Sequence, residues 1–588
     1  MLWVNKALQS HCPRAKPSPY MKRWWNEDLT ALRKSYTYWR NQACAMRRQG
    51  REDAELRSTA TGAKRLFHRT IRRHRKLHWE VFLEDNDNIW KASKYLDEQA
   101  SSSYARVPPI KKVGTTEEYA TEDHEIGGEL LQAFFPTPPA CIDEDTPNTY
   151  NQVHWEPITK YEVKAAVFRA RPDRAPGRDG LPARVWREMW PVLEDEIMLL
   201  FATSLETGRV PQEWKVAKIV PLRKPKRGDY TIANNYKPIS LLPTLGKALE
   251  SLVAERIAYL VEEHSLLPKT YFGARKQRAT THALSYLTED VFKAWRGRKT
   301  LSLVSFDVKG AYNNVATRPE IRRLRQRQIP ETIVQWVQDF CTDRQACILV
   351  NRHTTDVQPL PQAGLPQGSA LAPILFLFFN ADLVQKSPKH GSSMAFVDDY
   401  SAWVMGPTAE ENTRIIQNEV IPMLEKWECT SGAQFEAAKT SFIHLTRYKA
   451  AGRDSTTPLR FKGKEIAPTD SVKILGVTLD KELRFKTHLA DKAGKATKVA
   501  LALRRLKGLQ PKAVKQLAQS VVLPVADYAS PIWSPIATYD MKQLLKQSQR
   551  ITAQAVIRGF RTVALSITEI EAGLLLLEQR LLQQSIAF

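Results

Sequence analysis

Two adjacent aspartates, Asp398 and Asp399, stand between two short apolar runs in residues 394–404. A separation of two residues predicts a tight β-hairpin, and the favoured turns of that length use Asn-Gly or Asp-Gly because they need positive φ. Two carboxylates at the tip repel each other, and a sequence that breaks a local rule often does so at a working site. A hard cation such as Mg²⁺ would compensate, since it binds carboxylate oxygens. An ordinary solvated Asp-Asp loop is the alternative.

A third acid, Asp307, ends the apolar run 301–306, which predicts a buried strand. An acid at a strand end beside an acid-tipped hairpin would place three carboxylates around one pair of metal ions. A helix N-cap or turn former is the alternative for Asp307. Between the acids, the Gly/Pro-rich loop 364–373 leads into an apolar helix, Ile374 to Leu383. Its glycines let the backbone approach a ligand closely, although a plain loop before a buried helix has the same composition.

Three blocks of sequence resemble motifs A, B and C of reverse transcriptases in the expected order. They are Phe-Asp-Val-Lys-Gly-Ala-Tyr at 306–312, Gly-Leu-Pro-Gln-Gly-Ser at 364–369 and Phe-Val-Asp-Asp at 396–399. Further blocks are similar to those of non-LTR (LINE-type) retrotransposons, a class of transposable element, and most similar to those of fungi; they lie at 175–180, 235–242, 272–275, 439–440, 474–480 and 527–533. The resemblance covers roughly 155–580.

This resemblance implies an α+β fold of the right-hand polymerase type, with fingers, a palm built on an antiparallel sheet, a thumb, and a helical N-terminal extension. The expected domains are a basic, aromatic-rich helical extension over 1–110, a linker over 111–154, fingers over 155–300, a palm over 301–482 and a helical thumb or C-terminal region over 483–588.

The implied function is that of an RNA-directed DNA polymerase, a nucleotidyltransferase that joins a dNTP to a primer 3′-hydroxyl on an RNA template. By resemblance, Asp307, Asp398 and Asp399 bind two Mg²⁺ ions, for which Mn²⁺ could substitute, and the Val308 carbonyl is a further metal ligand. Lys439 matches a lysine proposed as a general acid for the leaving pyrophosphate. A surface lysine is the alternative for Lys439.

The resemblance also assigns nucleotide-binding residues. Tyr312 matches a ring that stacks under the sugar and excludes a 2′-hydroxyl, with a core aromatic as the alternative. Gln367 and Gly368 match a loop that contacts the incoming nucleotide. Candidates for the triphosphate are Lys218, Arg223, Lys224 and Lys237. Four positions depart from the family pattern: Lys237 stands where Arg is usual, Tyr271 where Gln is usual, Ala279 where Ser is usual, and Ala370 where Pro is usual.

The net charge of +24 indicates a polyanionic partner, which the resemblance identifies as RNA template, DNA primer and dNTPs. Residues 64–78 contain seven Lys or Arg and no acid, and basic groups interleaved with aromatic rings are typical of RNA or single-strand binding. The nucleic-acid-binding candidates are Arg65, Arg69, Arg72, Arg73, Arg75 and Lys76. A solvated basic helix is the alternative.

The same stretch could act as a nuclear localisation signal, so we expect a nuclear protein, with a cytoplasmic ribonucleoprotein as the alternative.

Other function classes fit poorly. The longest apolar run, 370–379, is too short to span a membrane, and residues 1–20 lack the apolar core of a signal peptide. Six cysteines without Cys-x-x-Cys spacing predict neither a zinc site nor a disulfide framework.

No room for an endonuclease precedes residue 15 and none for an RNase H follows residue 580, so we expect either a fragment or the absence of both activities. A decayed or repurposed nucleic-acid-binding protein is the alternative function, and an intron maturase or telomerase-like enzyme shares the palm. No sequence feature decides the oligomeric state.

Overall fold

The computed structural model describes residues 24–84, 106–112, 118–136, 152–225, 228–360, 364–447, 455–506 and 508–588, with a few isolated residues between and before these ranges. The chain divides into two compact units. One contains residues 1–98 with 489–528 and 538–587, and the other contains residues 99–488 with 529–537 and the terminal residue 588.

Within the described ranges, the strands are β1 Ile110–Lys111, β2 Tyr119–Ala120, β3 Val216–Arg223, β4 Tyr236–Leu241, β5 Thr300–Asp307, β6 Gln345–Val350, β7 His353–Thr354, β8 Gln358–Pro359, β9 Gly391–Phe396, β10 Asp399–Gly406, β11 Ser441–Leu445, β12 Leu459–Phe461, β13 Lys464–Ile466, β14 Ser471–Ile474 and β15 Val477–Asp480.

The α-helices of the same ranges are α1 Glu27–Arg48, α2 Ala54–Glu84, α3 Asp123–Phe134, α4 Lys160–Arg169, α5 Ala183–Glu188, α6 Trp190–Thr207, α7 Thr244–Glu263, α8 Thr280–Arg296, α9 Thr317–Gln326, α10 Glu331–Cys341, α11 Ala372–Gln385, α12 Ala409–Ile415, α13 Ile421–Ser431, α14 Lys486–Arg505, α15 Pro511–Leu517, α16 Leu523–Ala526, α17 Ser530–Trp533, α18 Tyr539–Ile557, α19 Leu565–Glu571 and α20 Leu577–Ala587. Short π-helical turns join α12 to α13 and α15 to α16.

A four-stranded antiparallel sheet, with the strand order β11-β5-β10-β9, carries the three acids. Its central strand β5 is buried along most of its length, because helices α8 and α12 pack against the sheet. The apolar helix α11 is buried on nearly all sides. This sheet has the antiparallel architecture predicted for the palm, and the α+β fold class is confirmed.

A second sheet has the order β4-β3-β6-β7, with β8 also paired to β6. Strand β3 pairs antiparallel with β4 and parallel with β6. Helix α3 packs on this sheet, and its Ile126, Leu130 and Phe134 share a buried apolar cluster with Ile219 of β3. The expected linker over 111–154 therefore contains an ordered strand and helix at 119–134, whereas residues 137–151 lie outside the described residues.

The other unit is helical. Helices α1 and α2 form a pair in which Phe67 is 8% exposed and its ring contacts those of Trp25 and Tyr36. At the far end of α2, Leu83 lies in one apolar core with Leu503 of α14 and Val556 of α18. The expected N-terminal extension and much of the expected thumb thus share a core. In the described part of the chain, no helix is both long and apolar enough to span a bilayer.

Candidate active site

The acids of the predicted site meet at the end of the four-stranded sheet. Strands β5 and β10 pair in antiparallel register, which places Asp399 directly opposite Asp307. Side chains of directly opposed residues have Cβ atoms about 4.5–5.5 Å apart. The structure thus brings together two acids that are far apart in sequence, with Asp398 at the adjoining position of the turn.

The hairpin turn differs by one residue from the sequence prediction. Asp398 and Asp399 were expected to form the tip, but β9 ends at Phe396 and pairs with Asp399, so the tip is Val397-Asp398. Val397 has a φ of 60°, in the left-handed region that β-branched residues rarely adopt. Asp399 therefore belongs to the strand, and Asp398 alone of the two acids lies in the turn.

The electrostatics of the three acids follow from their proximity. Partial desolvation, together with the charges of Asp398 and Asp307, raises the pKa of Asp399 to about 6. Desolvation and the charge of Asp307 also raise the pKa of Asp398, while Lys237 and Lys439 act against that shift. Asp399 is solvent-exposed, so the repulsion between these carboxylates is the part of its shift that a bound cation would reverse.

Lys439 lies against the acids. Its Nζ is 2.7 Å from Asp307 Oδ2 and also contacts Glu436. Desolvation lowers the pKa of Lys439, but hydrogen bonds to Asp307 and Glu436 outweigh it and raise the pKa overall. The side chain is therefore a protonated ammonium, as a general acid must be before it acts. Its proposed role stays a prediction.

Among the described residues, no group of three or more His, Cys, Asp or Glu side chains is arranged to enclose a metal ion. The donor chemistry nevertheless fits a hard cation, because carboxylate oxygens converge and repel one another. The ammonium of Lys439 forms an ion pair with Asp307 and supplies the positive charge that a bound cation would bring to that carboxylate. Val308 is buried beside Asp307 and bridges to Phe435; its carbonyl as a metal ligand stays a prediction.

The predicted nucleotide loop packs tightly against motif A. Tyr312 O accepts a hydrogen bond from Leu365 N at 2.7 Å, and Gly364 has a φ of 55° at a point where a Cβ would lie 2.4 Å from Tyr312 O. The Tyr312 ring lies 5.4 Å from that of Phe376, and desolvation with the charge of Asp398 raises its pKa to about 12. Burial is the larger cause of this shift and the charge of Asp398 the smaller one.

The same loop is joined to the second sheet. Gln367 O accepts a hydrogen bond from Ser240 N at 2.8 Å, and a Cβ on Gly368 would lie 2.6 Å from Ser240 O. Gln367 Oε1 has no hydrogen-bond partner among the described residues. That amide oxygen is buried and keeps an unused acceptor; its contact with a nucleotide stays a prediction.

The four basic triphosphate candidates lie in different surroundings. Arg223 donates to Arg106 O and lies over the Tyr230 ring, and Lys224 donates to Asn234 O. Lys237 is exposed on β4 and acts electrostatically on Asp398. Lys218 lies on β3, paired with Leu241. Of the four, Lys237 is the one that the structure relates to the acids.

The basic candidates of the N-terminal extension all lie on α2 and are solvent-exposed: Arg65, Arg69, Arg72, Arg73, Arg75 and Lys76. Residues 65, 69, 72 and 76 recur at helical spacing and lie on one face. Arg75 covers the Trp24 ring at 5.6 Å. The aromatic side chains predicted to interleave with the basic residues are therefore at least in part covered by the protein's own arginines.

Several residues near the site were not predicted as functional. Tyr271 and Asn380 contact the carbonyl of Val397, and Glu250 binds the loop at Ser369 and Ala370. Tyr271 was visible as a departure from the family pattern. Asn380 was visible as one polar residue in an apolar run, but neither signal says what the side chain contacts.

Comparisons with known proteins agree with this geometry. Residues 223–479 match the family model of the reverse transcriptase (RNA-dependent DNA polymerase). The chain is 26% identical over 571 residues to the 115 kDa protein of the type-1 retrotransposable element R1DM of Drosophila melanogaster, covering 94% of this chain and 53% of that protein. It is 25% identical to the RNA-directed DNA polymerase from mobile element jockey of Drosophila funebris, covering 74% and 49%. The chain thus spans about half the length of these relatives.

Among solved structures, an apo telomerase from Candida tropicalis matches with a TM-score of 0.34 and 12% identity, covering 69% of this chain and 71% of that chain. A likeness this weak adds nothing to the assignment. The similarity to reverse transcriptases is therefore carried by the family-model match of residues 223–479. Over most of its length the chain is similar to proteins of non-LTR retrotransposons. Reverse transcriptases generally use divalent metal ions; similarity to fungal elements in particular stays a prediction.

Proposed function

We propose that this chain is an RNA-directed DNA polymerase that extends a DNA primer with dNTPs on an RNA template. The observation that carries the proposal is the register of β5 and β10, which sets Asp399 opposite Asp307 beside the turn that bears Asp398. The matched family model and the names of the relatives point to the same reaction.

In this reaction the oxygen of the primer 3′-hydroxyl forms a bond to the α-phosphorus of the dNTP, the bond from that phosphorus to the oxygen bridging to the β-phosphorus breaks, and the β- and γ-phosphates leave as pyrophosphate. Two Mg²⁺ ions, when bound, supply charge neutralisation and activation of the hydroxyl. Asp307, Asp398 and Asp399 are the residues that would hold them. Lys439 carries a proton next to these acids, and Lys237 presents a positive charge to the same region.

Primer extension on an RNA template tests this proposal. We expect Asp398→Asn to reduce extension by roughly 10³-fold, because a loss of several kcal/mol of charge stabilisation follows removal of a metal ligand. Asp470→Asn is the matched control, since the Asp470 side chain is 95% exposed. A parent chain that binds template but does not extend it would favour the decayed or repurposed nucleic-acid-binding protein.

We also propose that the exposed basic face of α2 binds the RNA backbone. Its support is the placement of Arg65, Arg69 and Arg72 on one solvent-facing stripe. Replacement of all three by Gln should weaken RNA binding. The slope of the logarithm of the binding constant against the logarithm of the salt concentration should become less negative by about 0.7 for each phosphate contact that is lost. Replacing the exposed Lys164, Lys426 and Lys464 by Gln removes the same charge elsewhere. An equal effect of both triple variants would contradict the assignment.

Nuclear localisation is a further proposal, based on the basic run 64–78. A fluorescent reporter fused to this segment should accumulate in the nucleus. Uniform distribution of the fusion, or nuclear accumulation that persists when Arg72 and Arg73 are replaced by Ala, would contradict it.

A further inference from the structure

The turn that carries Asp398 has a backbone conformation that its own sequence does not favour. Val397 precedes Asp398 and has a φ of 60°. A Cβ-branched side chain crowds the backbone in this region, so the residue stays there only where surrounding structure holds it. Contacts outside the hairpin must therefore stabilise the turn.

Two buried polar side chains meet the carbonyl of Val397. Asn380 Nδ2 donates to Val397 O at 2.9 Å, and Tyr271 Oη lies 2.9 Å from the same oxygen. Tyr271 Oη is also 2.5 Å from Asn380 Oδ1. Tyr271 is 0% exposed and Asn380 is 1% exposed, so neither side chain can contact a primer or a nucleotide.

The main chain around Tyr271 is fixed along strand β9. Phe272 N donates to Ala395 O at 2.9 Å, and Ala395 N donates to Thr270 O at 3.2 Å. A Cβ on Gly273 would lie 2.5 Å from Val397 N. Only glycine permits this approach, which brings the segment 270–273 against the turn.

We propose that Tyr271 and Asn380 are positioning residues that hold Val397 in its left-handed conformation and so direct Asp398 toward Asp307. This inference rests on the proposed polymerase function for its catalytic consequence, but its structural part does not. The Val397 carbonyl is the shared acceptor. Asn380 Nδ2 donates to Val397 O, and the single hydroxyl proton of Tyr271 lies between two acceptors, Val397 O and Asn380 Oδ1, so the three groups form one hydrogen-bond network.

Tyr271→Phe tests the proposal because it keeps the ring and removes the hydroxyl. Tyr286→Phe is the matched control, since Tyr286 Oη makes a comparable hydrogen bond, 2.5 Å from Ser392 Oγ, at the other end of β9. Tyr271→Gln keeps a donor at the position and serves as the rescue variant. All three variants are made in the full chain.

The first measurement is hydrogen exchange of the main-chain amides in 391–404, which needs no activity. We expect Tyr271→Phe to accelerate exchange at 396–399 by about tenfold relative to Tyr286→Phe, as the turn opens more often. Equal exchange in the two variants would overturn the proposal, whether or not the chain polymerises.

The second measurement is primer extension with Mg²⁺ varied. Because small displacements of reacting groups cost on the order of 10²-fold in rate, we expect Tyr271→Phe to lower kcat by 10- to 100-fold with little change in the KM for dNTP. Tyr271→Gln should recover part of the loss. If the parent chain is inactive, the polymerase proposal fails and the exchange result still decides the positioning role. If the parent chain is active and Tyr271→Phe has the same kcat as the parent, the positioning role is overturned.

Discussion

The ammonium of Lys439 is 2.7 Å from the carboxylate of Asp307, although 132 positions separate them in the chain. The two residues meet because Glu436 N donates to Asp307 O, which draws the segment before β11 alongside the end of β5. One of the proposed metal ligands is thus neutralised by a side chain that is itself proposed to act as an acid.

Replacing Lys439 separates these two effects. Lys439→Ala removes the cation that competes for Asp307, so Mn²⁺ should bind more tightly. If the lysine protonates pyrophosphate, kcat should fall by on the order of 10²-fold. Lys439→Arg keeps a charge but releases no proton, so its kcat should be equally low. Titration with Mn²⁺ measures the metal affinity, and single-turnover extension measures the rate. A normal rate in both variants would show that Lys439 has no catalytic role.

Tyr312 should set the choice of sugar. Tyr312→Ala removes the ring that packs on Phe376 and should let ribonucleotides in. The preference for dNTP over rNTP, measured as a ratio of kcat/KM values, is expected to drop about 10- to 100-fold. Tyr312→Phe keeps the ring and should keep the preference. If discrimination survives Tyr312→Ala, the ring is a core aromatic.

Glu250 should anchor the nucleotide loop. It is buried, and it accepts hydrogen bonds from Ser369 Oγ and, at 3.2 Å, from Ala370 N. Desolvation raises the pKa of Glu250 and the Ser369 hydroxyl counteracts it. Ser369→Ala should therefore reduce the free energy of unfolding by about 1–3 kcal/mol, because a buried acceptor loses its partner. Ala370→Pro removes the second donor to Glu250 and also fixes φ at position 370, and it should act in the same direction; urea unfolding of both variants is the measurement.

Glu320 should make stability depend on pH. It is fully buried, neither carboxylate oxygen has a hydrogen-bond partner among the described residues, and desolvation raises its pKa from 4.5 to about 8. The folded state holds the proton between these values and the unfolded state does not, so stability falls as pH rises through this window. Glu320→Gln should unfold at a higher temperature than the parent at pH 9 and at a similar temperature at pH 5. Parallel pH profiles of the two proteins would contradict this.

Local pattern was enough to find the main elements. The strand predicted over 301–306 is β5, and the helix predicted from Ile374 to Leu383 lies within α11. Both are apolar runs with clear boundaries, so burial alone determines them. The pairing of β5 with β10 followed from the resemblance rather than from either segment by itself.

The turn at Val397 shows why the rest could not be predicted. A local rule puts polar residues at both positions of a two-residue turn, which selects Asp398-Asp399. The structure instead places Val397 in the turn, because Tyr271, Asn380 and Gly273 act on it from segments that lie more than 100 residues upstream or in the preceding helix. Contacts from such distant segments cannot be inferred from the sequence of the hairpin itself.

The shared core of Leu83 and Leu503 has a consequence for synthesis of the chain. About 420 residues separate the two, so α2 cannot complete its packing until the ribosome has made α14. At about 5–20 residues per second, this delay is roughly 20 to 80 s. During that interval the apolar end of a strongly basic helix is uncovered, and RNA or a chaperone that binds it then would meet the nascent protein before its last helices exist.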